Sequence, residues 1–201
     1  MLGVCNRMLL LNKPDESFVG RFVVQQKDKP FSYPEVGASR HVAPSGYNVD
    51  HNRILLGEGY ETYLKAIEAV KGWKMFDFAW LKLCWSDTPI VEGATVGILV
   101  RHLGFWSLNA CRVVYVMEEN GEIERYGFAY GTLPEHAERG EERFTVEYHP
   151  AKGQVWYDLY AFSKPRHMLA RAGYPVSRLL QKRFAGESKK AMVKAVNPER
   201  I

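Results

Sequence analysis

The stretch GFAYGTLPEHAERGEERFTVE, residues 127–147, places two strand-like runs around a loop crowded with His136 and charged neighbours. A loop with that many polar groups between apolar strands forms either the mouth of a site or its lid. Working outward, residues 123–132 and 142–148 read as the two flanking strands, with residues 133–140 as the loop. A Pro150/Gly153 turn leads on to a strand over residues 155–162. Upstream, Asn120-Gly121 is a strong hairpin signal joining residues 106–117 to the strand at 123–132, and residues 95–103 precede them around Gly104. Residues 76–85 also alternate. Phe76, Phe78 and Trp80 share one face and Leu81, Leu83 and Trp85 the other, which predicts a bulge between Trp80 and Leu81. Together these runs make a meander of about six antiparallel strands.

The ends of the chain read differently. Asn12, Pro14 and Asp15 precede Phe18, Val19, Phe22 and Val23 at helical spacing, predicting a short helix that ends before Pro30. Residues 31–48 carry Pro34, Gly37, Pro44 and Gly46, as expected of an irregular covering segment. Residues 52–56 read as a strand, and Tyr60, Tyr63, Leu64, Ile67 and Val70 as a helix closing at Gly72. After Pro165, Val176, Leu180, Phe184, Ala191 and Ala195 mark one stripe of a long helix. Gly186 lies inside it at a cost of about 1 kcal/mol against Ala, which suggests a kink or a close approach to something beneath.

This order predicts an α+β fold in which a curved antiparallel sheet of six to seven strands wraps around the last helix. Residues 1–45 would form the N-terminal helix and cover, and residues 46–201 the main domain. A helix about 10 Å across does not fill a strongly curved sheet, so large side chains plug the concavity or a cavity remains. Phe78, Trp80, Phe128, Tyr130, Tyr157, Tyr160 and Phe162 are the aromatics for either role, core or ligand-binding wall.

Composition sets the outer bounds. With 201 residues and 46% hydrophobic content, the chain has enough apolar material for one core. It carries no run resembling a secretory signal or a membrane span, so a soluble, cytoplasmic protein is expected. Cys5, Cys84 and Cys111 lack zinc or thioredoxin spacing and read as reduced thiols. Net charge is +4, but residues 164–200 hold ten Lys or Arg against two acids, leaving 17 basic against 21 acidic residues elsewhere. The basic helix is either a solvated face or a peripheral contact for an anionic membrane. No RNA- or DNA-binding signature accompanies it, so nucleic acid is not expected as a partner.

Some of these motifs resemble a known family. GYETYLKA followed by Trp73, CRVVYV from Cys111, the run GFAYGTLPEHAERGEERF from Gly127, VWYDLYAFSKP from Val155 and RLLQKRFA from Arg178 are similar to a domain-of-unknown-function family, numbered nineteen-ninety, of plants and bacteria. The arrangement as a whole resembles the START and pollen-allergen helix-grip superfamily, also called SRPBCC, over residues 46–196. The resemblance implies a helix-grip fold and binding of a hydrophobic or amphipathic small molecule. It carries over no catalytic residues and no cofactor.

Three groups of polar residues are candidates for chemistry. His136 with Glu141 or Glu142 could perform acid–base catalysis on such a molecule, the alternative to simple binding. Because Glu141 and Glu142 directly precede a strand, at most one faces inward. The spacing in this loop matches no metal motif, so no metal site is expected. Arg112 falls on an apolar row with Ala110, Val114 and Val116, which predicts a guanidinium paired with Glu141, Glu142 or Asp158 or anchoring a ligand. Cys111 with His102 lacks a third orienting group, and Gly57-Glu58-Gly59 lacks the rest of a dinucleotide fingerprint.

Overall fold

The computed structural model describes residues 10–85, 87–102, 104–166 and 174–200; Cys5, Leu103 and Gly173 lie outside them. Helix α1 spans Glu16–Gln26 and starts where the sequence places it, because the Asp15 carboxylate accepts the Phe18 amide at 2.7 Å. Strand β1, Asn48–Glu58, is longer than its apolar residues indicate, since its N-terminal half alternates without large apolar side chains. Helix α2, Tyr60–Lys71, closes at Gly72.

Seven strands form one antiparallel sheet. In chain order they continue with β2 (Leu81–Cys84), β3 (Thr95–His102), β4 (Phe105–Glu119), β5 (Glu124–Thr132), β6 (Glu138–His149) and β7 (Gln154–Pro165). The spatial order is β1-β7-β6-β5-β4-β3-β2, so the first strand returns beside the last. Helix α3, Tyr174–Val196, contacts β1, β7 and α2 across the inner face of this curled sheet, which makes the fold an α+β helix-grip. The outer face is covered by α1 and by the segment through Ser39, whose Ala38–Arg40 is a single 3-10 turn.

Two cores follow from this sandwiching. The inner one gathers Leu56, Trp73, Phe76, Phe128, Phe144, Tyr157 and Met192; the outer one gathers Val19, Phe22, Cys84, Leu99, Leu108 and Leu133. Period-two alternation with both faces covered explains why the strands carry apolar residues on both sides.

Three local expectations change. Residues 76–80 are not strand: Lys74–Phe76 is a 3-10 turn and β2 begins only at Leu81, so the phase switch marks a strand start rather than a bulge. A bulge does exist in β4, between Val113 and Tyr115 in its pairing with β5. It puts Ala110 in the outer core and Val116 against the inner one, so these residues and Arg112 do not form a single row. In α3 the buried positions are Ala185, Ser188, Met192, Val193 and Val196 rather than Ala191 and Ala195. The helix runs unbroken through Gly186, and a Cβ there would meet open space, so Gly186 marks no close approach.

Candidate functional site

The inner face is divided by side-chain size. At one end Phe128 stacks on Phe144 at 5.1 Å, Trp73 meets Phe128 at 4.9 Å, and Tyr157 donates to or accepts from Ser188 of α3 at 2.8 Å. At the other end the inward residues are small or polar. One cross-strand row runs Asp50, Ala161, Glu142, Tyr130 through β1, β7, β6 and β5. The next row toward the strand ends runs Asn48, Ser163, Gly140. Where Ala, Ser and Gly replace aromatics, α3 cannot close on the sheet, and a cavity of about 880 Å³ remains.

Apolar walls come from Leu81, Ile98 and Val100 on the sheet and from Val176, Leu180 and Phe184 on α3. Trp80 and Tyr130 of the sequence-derived aromatics also lie in the wall. Phe78 stands one layer back, its ring against Trp80 at 5.3 Å and Phe184 at 5.8 Å. Phe128 and Tyr157 are inward but belong to the packed end. Phe162 borders the cavity with its ring packed against Tyr33 and Tyr47. Tyr160 is on the outer face, where its hydroxyl accepts the Ala43 amide and its ring lies under Arg143.

Glu142 is the inward carboxyl and Glu141 the outward one, as alternation requires. The Tyr130 hydroxyl donates to Glu142 Oε2 at 2.7 Å, while Oε1 has no hydrogen-bond partner among the described residues. Burial pushes this carboxyl up to about 7; the Tyr130 bond pulls the other way, and the neighbouring Asp50 and Glu138 carboxyls push it further up. Glu141 is a structural hub. It is 2% exposed and accepts from Tyr33 Oη at 2.6 Å, the Gly37 amide at 2.8 Å, and the amide and hydroxyl of Ser39. Gly131 makes room for this cover: a Cβ there would overlap the Tyr33 hydroxyl and the Phe31 ring.

The loop between β5 and β6 is shorter than expected, because β6 begins at Glu138. Gly140 within it has φ +153°, and a Cβ there would collide with the Phe162 carbonyl, so only glycine lets β6 close on β7. His136, Ala137 and Glu138 line the cavity. His136 Nδ1 lies 3.0 Å from the Glu138 amide and 3.1 Å from the Glu138 carbonyl, so it meets that backbone as acceptor or donor according to the tautomer. Burial pushes His136 down to about 4, and the positive Arg166 nearby acts in the same direction. Glu138 is raised by burial and accepts from Gln181 of α3, whose amide also reaches Ser163 at 2.8 Å. Arg178 of α3 forks onto Asp50 at 2.5 and 2.6 Å.

Arg112 overturns its sequence reading. Among the described residues it forms no ion pair with a carboxylate, and it faces away from the cavity: its Nη2 donates to the carbonyls of Gln26, Lys27 and Lys29, and Nε to Thr95. It thereby satisfies the last carbonyls of α1, which a helix end leaves without partners. Asp158 bonds Arg143, Arg53 and His51 on the outer face. His102 lines the cavity and meets Ser107 at 3.3 Å, while burial raises the Cys111 thiol; nothing orients them as a nucleophile pair. Among the described residues no three His, Cys, Asp or Glu side chains converge as a metal ion requires, and no helix is long and apolar enough to cross a membrane. The basic helix spends much of its charge within the fold, through Arg178 on Asp50, Lys189 on Asn52, and Arg183 over the Trp80 ring at 4.7 Å.

Comparison with known proteins fits this architecture. A UPF0548 protein of Dictyostelium discoideum is 36% identical over 208 residues, covering 94% of this chain and 96% of that one. Among solved structures, a hypothetical protein from Helicobacter pylori superposes with a TM-score of 0.52 at 11% identity, over 84% of this chain and 96% of that one. Human STARD10 superposes with a TM-score of 0.45 at 11% identity, over 94% and 83%. The domain of unknown function DUF1990 matches residues 32–191, and the chain belongs to that family.

Proposed function

We propose that this protein binds a hydrophobic or amphipathic small molecule in the cavity between the sheet and α3. The observation that carries the reading is the cavity itself. Its volume of about 880 Å³ lies within the range of roughly 300–1,000 Å³ typical of small-molecule sites. Its walls carry apolar side chains from both the sheet and the helix, with polar groups such as Asp50, His136, Glu138 and Glu142 distributed among them, which suits a ligand with an apolar body and a polar group. Trp80 and Tyr130 would contact the ligand, and the β5–β6 loop would border its entrance. Native mass spectrometry after purification without detergent or organic solvent tests this directly. A non-covalent adduct released on unfolding is expected, and a bare chain that also takes up no apolar probe would overturn the reading.

A second reading is favoured by one observation, that His136 and Glu142, whose carboxyl burial pushes up to about 7, line the same cavity. Such a pair suits proton transfer to and from a bound molecule. Turnover of the extracted molecule by the wild type and not by Glu142→Gln would support an enzyme; unchanged ligand in both would remove that reading.

A further inference from the structure

We infer that the ligand of this cavity carries a cationic amine and that its ammonium group pairs with Glu142. The inference rests on the proposed binding function and deepens it by naming the chemistry of the polar group.

The charge balance of the wall is the first argument. Asp50, Glu138 and Glu142 all line the cavity. Arg178 pairs with Asp50 and also favours the charged form of Glu138, which is met besides by the neutral amide of Gln181 and the Ser163 hydroxyl. Among the described residues Glu142 is met only by the neutral Tyr130 hydroxyl. The remaining Lys or Arg at this wall among the described residues, Lys182, is solvent-exposed on α3. Glu142 therefore lacks a cationic partner among the described residues, and burial of an uncompensated charge is costly.

The second argument is geometric. Glu142 has one oxygen fixed by Tyr130 and the other without a partner among the described residues, beside Ala161, whose methyl stands between Asp50 and Glu142 in the cross-strand row. That notch is open to the cavity, and an ammonium placed there would donate to the unpartnered oxygen and sit in the field of all three carboxyls. The carboxyls are spread along the wall rather than gathered at one point, which suits the field around one ammonium better than the shell of a metal ion. The same field repels a carboxylate, so simple fatty acids are disfavoured. His136, held neutral by burial, adds no positive charge that would reverse this preference.

Titration calorimetry of the protein at pH 8 with n-octylammonium, n-octanol and n-octanoate separates the possibilities. Octylammonium is expected to bind about tenfold or more tightly than octanol, with octanoate weakest, in keeping with a charge-assisted hydrogen bond. Glu142→Gln should bring the amine down to the affinity of the alcohol. Octanol or octanoate matching octylammonium on the wild type would overturn the amine inference while leaving the cavity reading standing. Binding by none of the three would overturn both, and this comparison on the wild type needs no variant to fold.

Discussion

Glu142 and His136 act on stability with opposite sign. A Glu142 carboxyl raised from 4.5 to about 7 favours the folded state most below pH 4.5, and that contribution is lost as pH rises through about 7. The His136 imidazole is lowered from 6.5 to about 4, so its neutral folded form is penalised as pH falls from about 6.5 toward 4. In the wild type the two slopes oppose each other across mildly acidic pH. Glu142→Gln removes one of them: thermal or urea unfolding should show a gain of up to about 3 kcal/mol at pH 8 that fades toward pH 4.5. A variant less stable than the wild type at pH 8 would contradict the burial of this carboxylate. The sequence indicates that at most one of Glu141 and Glu142 faces inward, because neighbours on a strand alternate. Which one does so depends on the sheet's register against α3, a long-range property that no local pattern encodes.

At the scale of elements, the Asp15 cap, the Asn120-Gly121 turn and the period-two runs are legible because each is a local signal. The errors fall where tertiary packing decides. Arg112 is a clear case: its apolar row is interrupted by the β4 bulge, and its partners are backbone carbonyls more than eighty residues away, which leave no side-chain signature. Arg112→Leu should leave the end of α1 without that donor and cost about 2 kcal/mol in urea unfolding. It should also speed proteolysis within residues 16–30 while leaving octylammonium affinity intact. Weakened amine binding would mean that the cavity extends to the face the structure assigns to α1. The short strand at Leu81–Cys84 teaches a related lesson. The aromatics before it alternate like a strand, yet Trp73 takes a left-handed conformation at φ 54° and turns the chain into a 3-10 segment.

For the whole molecule, the curved sheet closed by a last helix can be read from the order of elements, but the cavity cannot. Its existence depends on where small residues on separate strands come into register: Ala161 between Asp50 and Glu142, with Ser163 beside Gly140 in the next row. The aromatics that the sequence offers for a wall divide between the packed end, the cavity and the outer face for the same reason. Ala161 also provides the most direct test of the central claim, that the space beside Glu142 is a binding site rather than a packing defect. Ala161→Trp fills that space with an indole and should keep or raise the melting temperature, as cavity filling commonly does. Titration calorimetry of octylammonium against wild type and Ala161→Trp, each verified as folded, is the decisive measurement. Binding to the wild type that is lost in the filled variant is the predicted result; equal affinity in both proteins would contradict it.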